Sequence, residues 1–596
     1  MNTFPLIRTK WTNEHFMAAA FIVLMLYMLP SWVQKPLGIL DFFAVILVSL
    51  IFDGAVNFIR YRRPICGVSA ALTAGILCIL SPGTALWIQL IGAAVSLLLG
   101  KHIWGGTGKN PINPAMTGVL VTGLLFGPRA VEFTPQLLLI PALLLSIPFI
   151  MFRPYASLGF MAGMAAALVL LQKFGFDSYL GYGAIFYGCL VLTDPVTVSP
   201  NHVLGAAGGA LTGAAAIVLT GSPVVMAASV LLFNVICFIA DRYLEIPQRK
   251  VPARKAVKKI VTAGNEVIFY DLSLSGNETA AVPESITPDS LEILTRIEKN
   301  EVTGLGGAAF PTVQKIRSVL EAKAEKKYFI INGVECDPGL VHDHWLIGRH
   351  MEEICTGINL VQQCINFEIT ALAVKEGTDI KACNVNVVKV PDYYPVGAEK
   401  SLIRHVLGEE LTSTDIPAKN GILVLNVQTV YSIYEAVMRN KRADTKLITI
   451  SDLKAKTAYV TKVRLGMSVQ NVIEKLPLSS GNIFLGGGVM QCWNSSDDDV
   501  IDRNVNFIAI ADFPRYKESV QCSGCGFCVD NCPMGMDVKR ISQLVDCQET
   551  EDAIKYHPER CIQCGNCSRV CLAGRNLALR MKTAKAAAVT RYIHNE

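Results

Sequence analysis

The feature that most constrains the fold is the apolar character of residues 1–245. A transmembrane helix needs about 20 apolar residues, and several apolar segments here are shorter, so we expect some half-helices buried in protein. The mean hydropathy of the chain is +0.39, which is high for a soluble protein and predicts a membrane protein. We count about ten segments, at residues 15–33, 39–59, 66–82, 85–100, 110–127, 134–152, 157–173, 180–198, 203–221 and 223–240.

The basic residues predict the orientation of these segments. With the N-terminus in the cytoplasm, nine lysines and arginines near segment ends fall inside and three fall outside, as the positive-inside rule requires. An even number of segments returns the chain to the cytoplasm. We therefore expect a multi-pass protein of the cytoplasmic (inner) membrane with both termini inside. The first segment lacks a small-residue cleavage site, so it is not interpreted as a signal peptide.

The remainder of the chain has the composition of a soluble protein. Residues 287–302 predict an amphipathic helix capped by Thr287 or Asp289. Apolar runs at 328–335, 369–374, 384–390 and 422–427 alternate with helical patterns, which predicts an α/β fold. A net charge of +5 without basic runs argues against nucleic-acid binding. We divide the chain into a membrane domain (1–245), a linker (246–285), an α/β domain (286–445), a β-rich module (446–510) and a helical domain (511–596).

Two cysteine runs near the C-terminus indicate metal chemistry. Each run has the spacing C-x2-C-x2-C-x3-C, which is typical of two-cluster ferredoxins. In that pattern each run gives three ligands to one [4Fe–4S] cluster and its fourth cysteine to the other. Zinc sites instead favour CxxC pairs separated by a longer loop. The predicted ligands are Cys522, Cys525, Cys528, Cys532, Cys561, Cys564, Cys567 and Cys571.

The sequence TGLGGAAFPT, residues 303–312, is a glycine-rich loop that could approach a phosphate closely. It does not follow the G-x-G-x-x-G pattern of dinucleotide folds, and by itself it fits a tight structural turn equally well. The next strand ends in NGVECDPG, which places Glu335 and Asp337 at its tip. These acids fit either a solvated turn or a nucleotide pocket, and their position after the loop favours the pocket.

The motifs GLGGAAFPT, NGVECDPG, YPVGAEK and NVQT, followed by the cysteine runs, resemble the RnfC component of the Rnf complex. That component is related to the NADH- and FMN-binding subunit of complex I. Over residues 285–580 the resemblance implies a flavin- and NADH-binding α/β domain, an SLBB-like module and noncovalent FMN. Two departures are Ala309 in place of a glycine and Trp345 in place of an arginine. The implied cofactor residues are Gly304, Gly306, Gly307, Phe310, Glu335, Asp343 and Lys400.

The membrane half carries NPINPAM (110–116) and TDPVT (193–197). Each stretch alone fits polar capping of a helix end. Together they resemble the RnfD component of the same complex, which is similar to the NqrB component of sodium-pumping NADH:quinone reductase. The Ser-Gly-Ala-Thr stretch that carries covalent FMN in that family is missing, so no covalent flavin is expected. A noncovalent flavin between the helices would use Ser69, Thr73 and Asn113.

Both resemblances imply a fused membrane oxidoreductase that passes electrons between NADH, FMN, the clusters and a ferredoxin-like partner. Other Rnf-like subunits and coupling to sodium or proton movement are implied with it. One alternative is a non-pumping relay to a quinone or a dedicated reductase. Others are a cluster-bearing anchor that no longer binds flavin, and a transporter with a redox-sensing tail.

Overall fold

The computed structural model describes most of the chain. Most of the predicted segment 134–152, most of the linker, and Gly307 lie outside the described residues. The described ranges are 4–8, 12–62, 67–81, 83–127, 144–147, 149, 153–171, 186–199, 201–219, 222–243, 267–273, 288–306, 309–380, 385–411, 415–512 and 522–594.

The N-terminal part is a bundle of apolar helices. Small residues bring α6 and α7 closest, because a Cβ on Gly159 or Gly163 would collide with the carbonyls of Ala206 or Ala210. Asn113 caps α5 by accepting a hydrogen bond from the Met116 N–H at 3.2 Å. The described helices are α1 (Asn13–Gln34), α2 (Gly38–Tyr61), α3 (Val68–Leu80), α4 (Leu86–Leu97), α5 (Pro114–Phe126), α6 (Pro154–Leu170), α7 (His202–Val218) and α8 (Pro223–Tyr243), with π-helical turns at Leu98–His102 and Tyr187–Val191.

The outer surface of this bundle is apolar. Leu37, Leu170 and Val203 are 77%, 81% and 79% exposed, and such surfaces are rarely left in water. By length and composition, two described helices could cross a membrane, within Gly38–Arg60 and Pro223–Asp241. The other apolar helices are shorter, so the predicted count of about ten spans is not confirmed.

The α/β domain is built on a parallel sheet in the order β4-β3-β2-β5. Alternate residues of β2 enter cores on opposite faces, so the strand is apolar throughout. The strands are β2 (Tyr328–Asn332), β3 (Ile369–Lys375), β4 (Asn386–Val390) and β5 (Ile422–Asn426), all within the predicted runs or one residue beyond them. The helices are α9 (Ser290–Lys299), α10 (Thr312–Glu321), α11 (His342–Arg349), α12 (Met351–Cys364), α13 (Glu399–Leu407) and α14 (Val427–Met438).

The β-rich module is a mixed six-stranded sheet in the order β1-β7-β6-β10-β8-β9. Its first strand comes from the predicted linker and pairs in parallel with β7. Phe4 also forms an antiparallel bridge with Cys492 at the opposite edge, so the N-terminal residues 4–8 pack on this module. The elements are β1 (Ile268–Asp271), β6 (Thr445–Asp452), β7 (Thr457–Arg464), α15 (Val469–Ile473), β8 (Asn482–Gly488), β9 (Gln491–Asn494) and β10 (Phe507–Ala511).

The C-terminal domain is helical, as predicted, and its long last helix packs against α17 and α18. Its core combines the cysteines with apolar side chains such as Met536, Ile541 and Met581. The helices are α16 (Phe527–Asp530), α17 (Val538–Asp546), α18 (Thr550–Ile554), α19 (Asn566–Arg569) and α20 (Leu577–His594).

Candidate functional site

The eight cysteines of the two runs line two small cavities in the crossed arrangement that the spacing predicts. The two cavities measure about 10 and 20 Å³ and lie in the same helical domain. Short helices α16 and α19 begin after Gly526 and Gly565, whose left-handed backbone turns each run. The first set, around one cavity, is Cys522, Cys525, Cys528 and Cys571. The second set is Cys532, Cys561, Cys564 and Cys567.

The chemistry of these donor sets fits iron–sulfur clusters. Burial raises the pKa of the Cys528 and Cys567 thiols well above the usual value, so four thiols packed together would stay protonated without a metal. Backbone N–H groups already point at sulfur in each run. The Gly524 N–H donates to Cys522 Sγ at 3.3 Å and the Gln563 N–H donates to Cys561 Sγ at 3.4 Å. Such bonds tune cluster potentials.

The glycine-rich loop lies at the carboxyl edge of the parallel sheet, where open α/β sheets bind ligands. The Leu305 N–H donates to Thr429 Oγ1 at 3.0 Å, which anchors the loop to α14. A Cβ on Gly306 would lie 3.2 Å from the Asn426 Cβ, so the glycine allows the loop to approach the end of β5. Gly304 donates its N–H to the Phe310 carbonyl at 2.9 Å, and the Phe310 side chain is 49% exposed.

Glu335 and Asp343 are buried directly beneath this loop. Glu335 Oε1 accepts a hydrogen bond from the Asp343 N–H at 3.0 Å, and Asp343 Oδ2 accepts one from Asn426 Nδ2 at 2.8 Å. Asp343 Oδ1 is buried and accepts no hydrogen bond within the described residues. The structure therefore brings Gly306, Glu335 and Asp343 together, with Asn426 between them.

Two buried titratable groups next to these acids were missed by the sequence analysis. The His342 ring nitrogen Nδ1 lies 2.9 Å from Thr449 Oγ1 and 3.9 Å from Glu335 Oε1, and burial lowers the histidine pKa. Burial lowers the pKa of Lys446 on β6 to about 7. Lys446 belongs to no local motif, because it reaches the acids only through the packing of the β-rich module on the α/β domain. His342 directly precedes Asp343 on α11, and this position beside a predicted site residue is the signal that could have identified it.

The two lysines of the site have different environments. Lys400, a predicted cofactor residue, lies at the start of α13, and burial is the main cause that lowers its pKa. Its charged neighbours include Lys585 of the cysteine domain, so it lies toward that domain. Lys315, in the first turn of α10 after the glycine-rich loop, was missed. Its ammonium donates to Glu399 Oε1 at 2.7 Å and to the Val424 carbonyl at 2.8 Å.

The α/β domain contacts the second cysteine set directly. The buried Tyr394 hydroxyl donates to the Cys564 carbonyl at 2.6 Å, and burial raises the tyrosine pKa well above its usual value. Asp337, expected at the pocket, instead accepts hydrogen bonds from the Val489 and Met490 N–H groups at 3.0 and 3.1 Å. Asp337 therefore joins the α/β domain to the β8–β9 turn.

Trp345 explains one departure from the resembled family. Its ring stacks on Phe269 of β1 at a centroid distance of 4.5 Å and an interplanar angle of 12°. The side chain therefore stabilises the packing between the α/β domain and the six-stranded sheet.

The helical bundle contacts the first cysteine set. Gly108, in the loop before α5, packs against the Cys522 carbonyl, and its own carbonyl accepts from Gln543 Nε2 at 3.3 Å. A Cβ on Gly524 would lie 2.8 Å from Val196 Cγ2, so the TDPVT turn supports the same cysteine loop. A cavity of about 180 Å³ lies at this junction. Its lining includes Ser69, Thr73 and Asn113 from the bundle, together with Ser523 and Cys525.

Comparisons with known proteins match three separate parts of the chain. The NQR2, RnfD, RnfE family model matches residues 1–137, the Nuo51 FMN-binding domain matches 297–435, and the 4Fe-4S dicluster domain matches 521–574. These matches define a membrane protein with an FMN-binding domain and a domain for two [4Fe–4S] clusters. Both predicted cofactors are thereby confirmed.

The curated relatives identify the C-terminal half more closely. The RnfC-type component of the ion-translocating oxidoreductase complex of Rhodobacter capsulatus is 27% identical over 290 residues, which are 46% of this chain and 55% of that protein. The corresponding component of the Na+-translocating ferredoxin:NAD+ oxidoreductase complex of Acetobacterium woodii is 28% identical over 303 residues, covering 47% and 68%. The chain thus spans about half the length of the first of these relatives. The predicted fusion of an RnfD-like region with an RnfC-like region is confirmed.

One solved structure shows a weaker similarity. An NAD+-reducing [NiFe]-hydrogenase chain has a TM-score of 0.37 at 15% identity, over 51% of this chain and 69% of that chain. We base no conclusion on a similarity at this level.

Proposed function

We propose that this protein is a membrane-bound, Rnf-like oxidoreductase subunit that passes electrons between NADH and a ferredoxin-like carrier. FMN converts the two-electron chemistry of NADH into single-electron steps, which the two clusters accept. The relatives named for ferredoxin and NAD+ support this activity. They also support partnership with other Rnf-like subunits and coupling to ion movement.

The contact between Tyr394 and the Cys564 carbonyl is the observation that carries the proposal. Tyr394 begins the stretch YPVGAEK of the α/β domain, so the contact places this stretch against the second cysteine set. The second set neighbours the first, which touches the helical bundle. A chain of short distances from flavin to clusters is what electron hopping between cofactors requires.

We assign roles to the predicted residues on this basis. Gly304, Gly306, Gly307 and Phe310 would border FMN, with its phosphate at the N-terminus of α10. Glu335 and Asp343 would order the floor of the pocket through Asn426, to which Asp343 Oδ2 is hydrogen-bonded. Lys400 would lie at the side of the flavin pocket that faces the cysteine domain. The eight cysteines would ligate iron in the crossed sets.

We also propose the predicted membrane topology of about ten spans with both termini in the cytoplasm. Arg8 donates to the Gly574 carbonyl at 2.6 Å, and the Asn13 N–H donates to the Leu572 carbonyl at 2.9 Å. These contacts support placing the N-terminal residues and the cysteine domain on the same side of the membrane. The six-stranded sheet supports an SLBB-like module close to residues 446–510, with β1 added. We also propose the domain boundaries predicted at residues 245, 285, 445 and 510.

The test is anaerobic and uses the whole chain in detergent. Acid-released flavin, bleaching on addition of NADH and an EPR signal of reduced clusters are expected. Gly306→Val should lose flavin because its side chain would enter the space beside Asn426, whereas Gly348→Ala, with open space around its Cβ, should retain it. Intact clusters without flavin or any response to NADH would refute the dehydrogenase function.

A second candidate acceptor is a quinone in the bilayer. The cavity of about 180 Å³ favours it, because Cys525 of the first set lines a space between the helices. The expected result is oxidation of NADH by a short-chain quinone without ferredoxin. Thr73→Trp, which fills this cavity, should abolish that reaction while NADH still reduces the clusters. Unchanged quinone reduction in Thr73→Trp would exclude the cavity as its site.

A further inference from the structure

Arg153 is a buried arginine of the helical bundle that reaches the cysteine domain. It precedes α6, is 5% exposed, and donates Nε to the Val198 carbonyl at 2.9 Å and Nη2 to the Pro195 carbonyl at 2.7 Å. Its Nη1 donates to the Cys525 carbonyl at 3.4 Å. Two carbonyls of the membrane half therefore hold the guanidinium. Its third hydrogen bond is to a predicted iron ligand of the cysteine domain.

The cysteine loop is shaped to receive this side chain. A Cβ on Gly526 would lie 3.3 Å from both Nη1 and Nη2 of Arg153, and Gly526 has a φ of +78°. The equivalent glycine of the second run, Gly565, faces the Met490 carbonyl instead. The two runs share a spacing but differ in what packs on this position, and only the first run faces a cation there.

The second cysteine set has a cation at a different position. Lys585 on α20 donates its ammonium to the Cys561 carbonyl at 2.7 Å. Each set therefore has a cation that donates to the carbonyl of a predicted ligand cysteine, and Lys539 and Arg575 also line the first cavity. Lys585 belongs to the cysteine domain itself, whereas Arg153 is provided by the membrane half.

We propose that Arg153 is a positioning residue that raises the reduction potential of the cluster held by Cys522, Cys525, Cys528 and Cys571. This inference rests on the two-cluster function proposed above. Reduction adds one electron and no proton to the cluster, so a fixed positive charge stabilises the reduced state. The guanidinium is buried, so its charge is less screened than a charge at the surface. Asp530, Asp194 and Asp241 lie near it and offset part of its effect. Arginine also keeps its charge when buried, unlike lysine.

The reduction potential of the first cluster would therefore depend on whether the cysteine domain is packed on the helical bundle. A cluster domain lifted from the bundle would lose this cation and become harder to reduce. Packing of the cysteine domain on the bundle would therefore make electron transfer from the second cluster to the first more favourable than it is in the lifted state. Electron flow toward the membrane half would then require that the two halves of the chain are packed together.

The test is an EPR-monitored redox titration of the purified whole chain, with iron content measured for every variant. Wild-type protein should show two midpoints. Arg153→Gln should lower one midpoint by at least a tenfold change in the reduction equilibrium, which is about 59 mV for one electron. Lys585→Gln should lower the other midpoint, and Arg153→Lys should retain most of the wild-type value.

Each result decides the proposal. Unchanged midpoints in Arg153→Gln, or equal shifts of both, would overturn it, as would both substitutions acting on the same midpoint. If Arg153→Gln does not retain iron, Arg153→Met, which leaves no unpaired buried donor, is measured instead. Loss of iron in both variants would assign Arg153 a purely structural role. Absence of two cluster signals in the wild-type protein would instead refute the proposed function.

Discussion

Lys446 should make the stability of the β-rich module depend on pH. Its side chain is 2% exposed, and its ammonium donates to Asn506 Oδ1 at 2.7 Å and to the Arg503 carbonyl at 2.9 Å. Burial lowers its pKa from 10.5 to about 7, while Asp502 and Asp343 oppose that change. The folded state therefore releases this proton near neutral pH, whereas the unfolded chain retains it until well into the alkaline range.

The sign of the effect follows from proton binding in the two states. Between pH 7 and 10.5 the unfolded chain binds more protons at this lysine, so the free energy of unfolding rises with pH. The slope is half its limit at the folded-state pKa and approaches about 1.4 kcal/mol per pH unit above it, so the gain between about pH 7 and pH 9 is about 2 kcal/mol. Below pH 7 both states are protonated and this contribution is constant.

The comparison is between wild-type protein and Lys446→Met, with Lys456→Met as the control at an exposed position in the β6–β7 turn. Urea-dependent hydrogen exchange of β6 and β10 peptides in the intact chain reports the local free energy of unfolding. Wild-type and Lys456→Met proteins should gain stability from about pH 7 to 9, and Lys446→Met should gain about 2 kcal/mol less. Equal pH dependence in all three proteins would refute the reasoning.

Four other substitutions test the site. Cys571→Ser should change the midpoint potential that Arg153→Gln lowers, and Cys532→Ser should change the other midpoint. The reason is that the fourth cysteine of each run lies in the opposite set. Redox titrations that show the reverse assignment would contradict the crossed sets. Ala309 has a φ of +50°, so Ala309→Gly should relieve about 1 kcal/mol of strain and tighten FMN binding; weaker binding by fluorescence titration would contradict this. Tyr394→Phe leaves the Cys564 carbonyl without its 2.6 Å donor and should destabilise this contact by about 1–3 kcal/mol, measured as faster hydrogen exchange around Cys564; unchanged exchange would count against it.

The sequence predicted the parts of the fold that local patterns determine. The four strands of the parallel sheet were identifiable because both faces of the sheet are buried, which makes each strand a continuous apolar run. The grouping of the eight cysteines around two cavities followed from their spacing, which is typical of two-cluster ferredoxins, and their role as iron ligands stays a prediction. The fusion of two family regions followed from motifs in each half.

Residues that act across domain boundaries were not predictable in this way. Lys446 lies near Asp343 and His342 only because β6 packs against the α/β domain. The same packing brings the Val489 and Met490 N–H groups to Asp337. The strand β1 lay in a presumed linker because four residues paired at a sheet edge carry little periodicity. The number of spans stays a prediction, because apolar runs around polar loops do not distinguish full spans from shorter helices.

The polar residues of the membrane half have a use that their sequence motifs did not reveal. Asn234 on α8 accepts from the Asn113 N–H at 3.0 Å and donates to the Thr197 carbonyl at 3.2 Å, which joins the NPINPAM and TDPVT stretches. Both stretches lie under the first cysteine set, with Gly108 and Val196 in contact with its loop. The buried amide is satisfied on both sides, so it fixes these loops rather than weakening the bundle. The helix ends that polar residues cap therefore also support the cysteine domain. The proposed electron transfer into the membrane half would depend on the same residues that shape its helices.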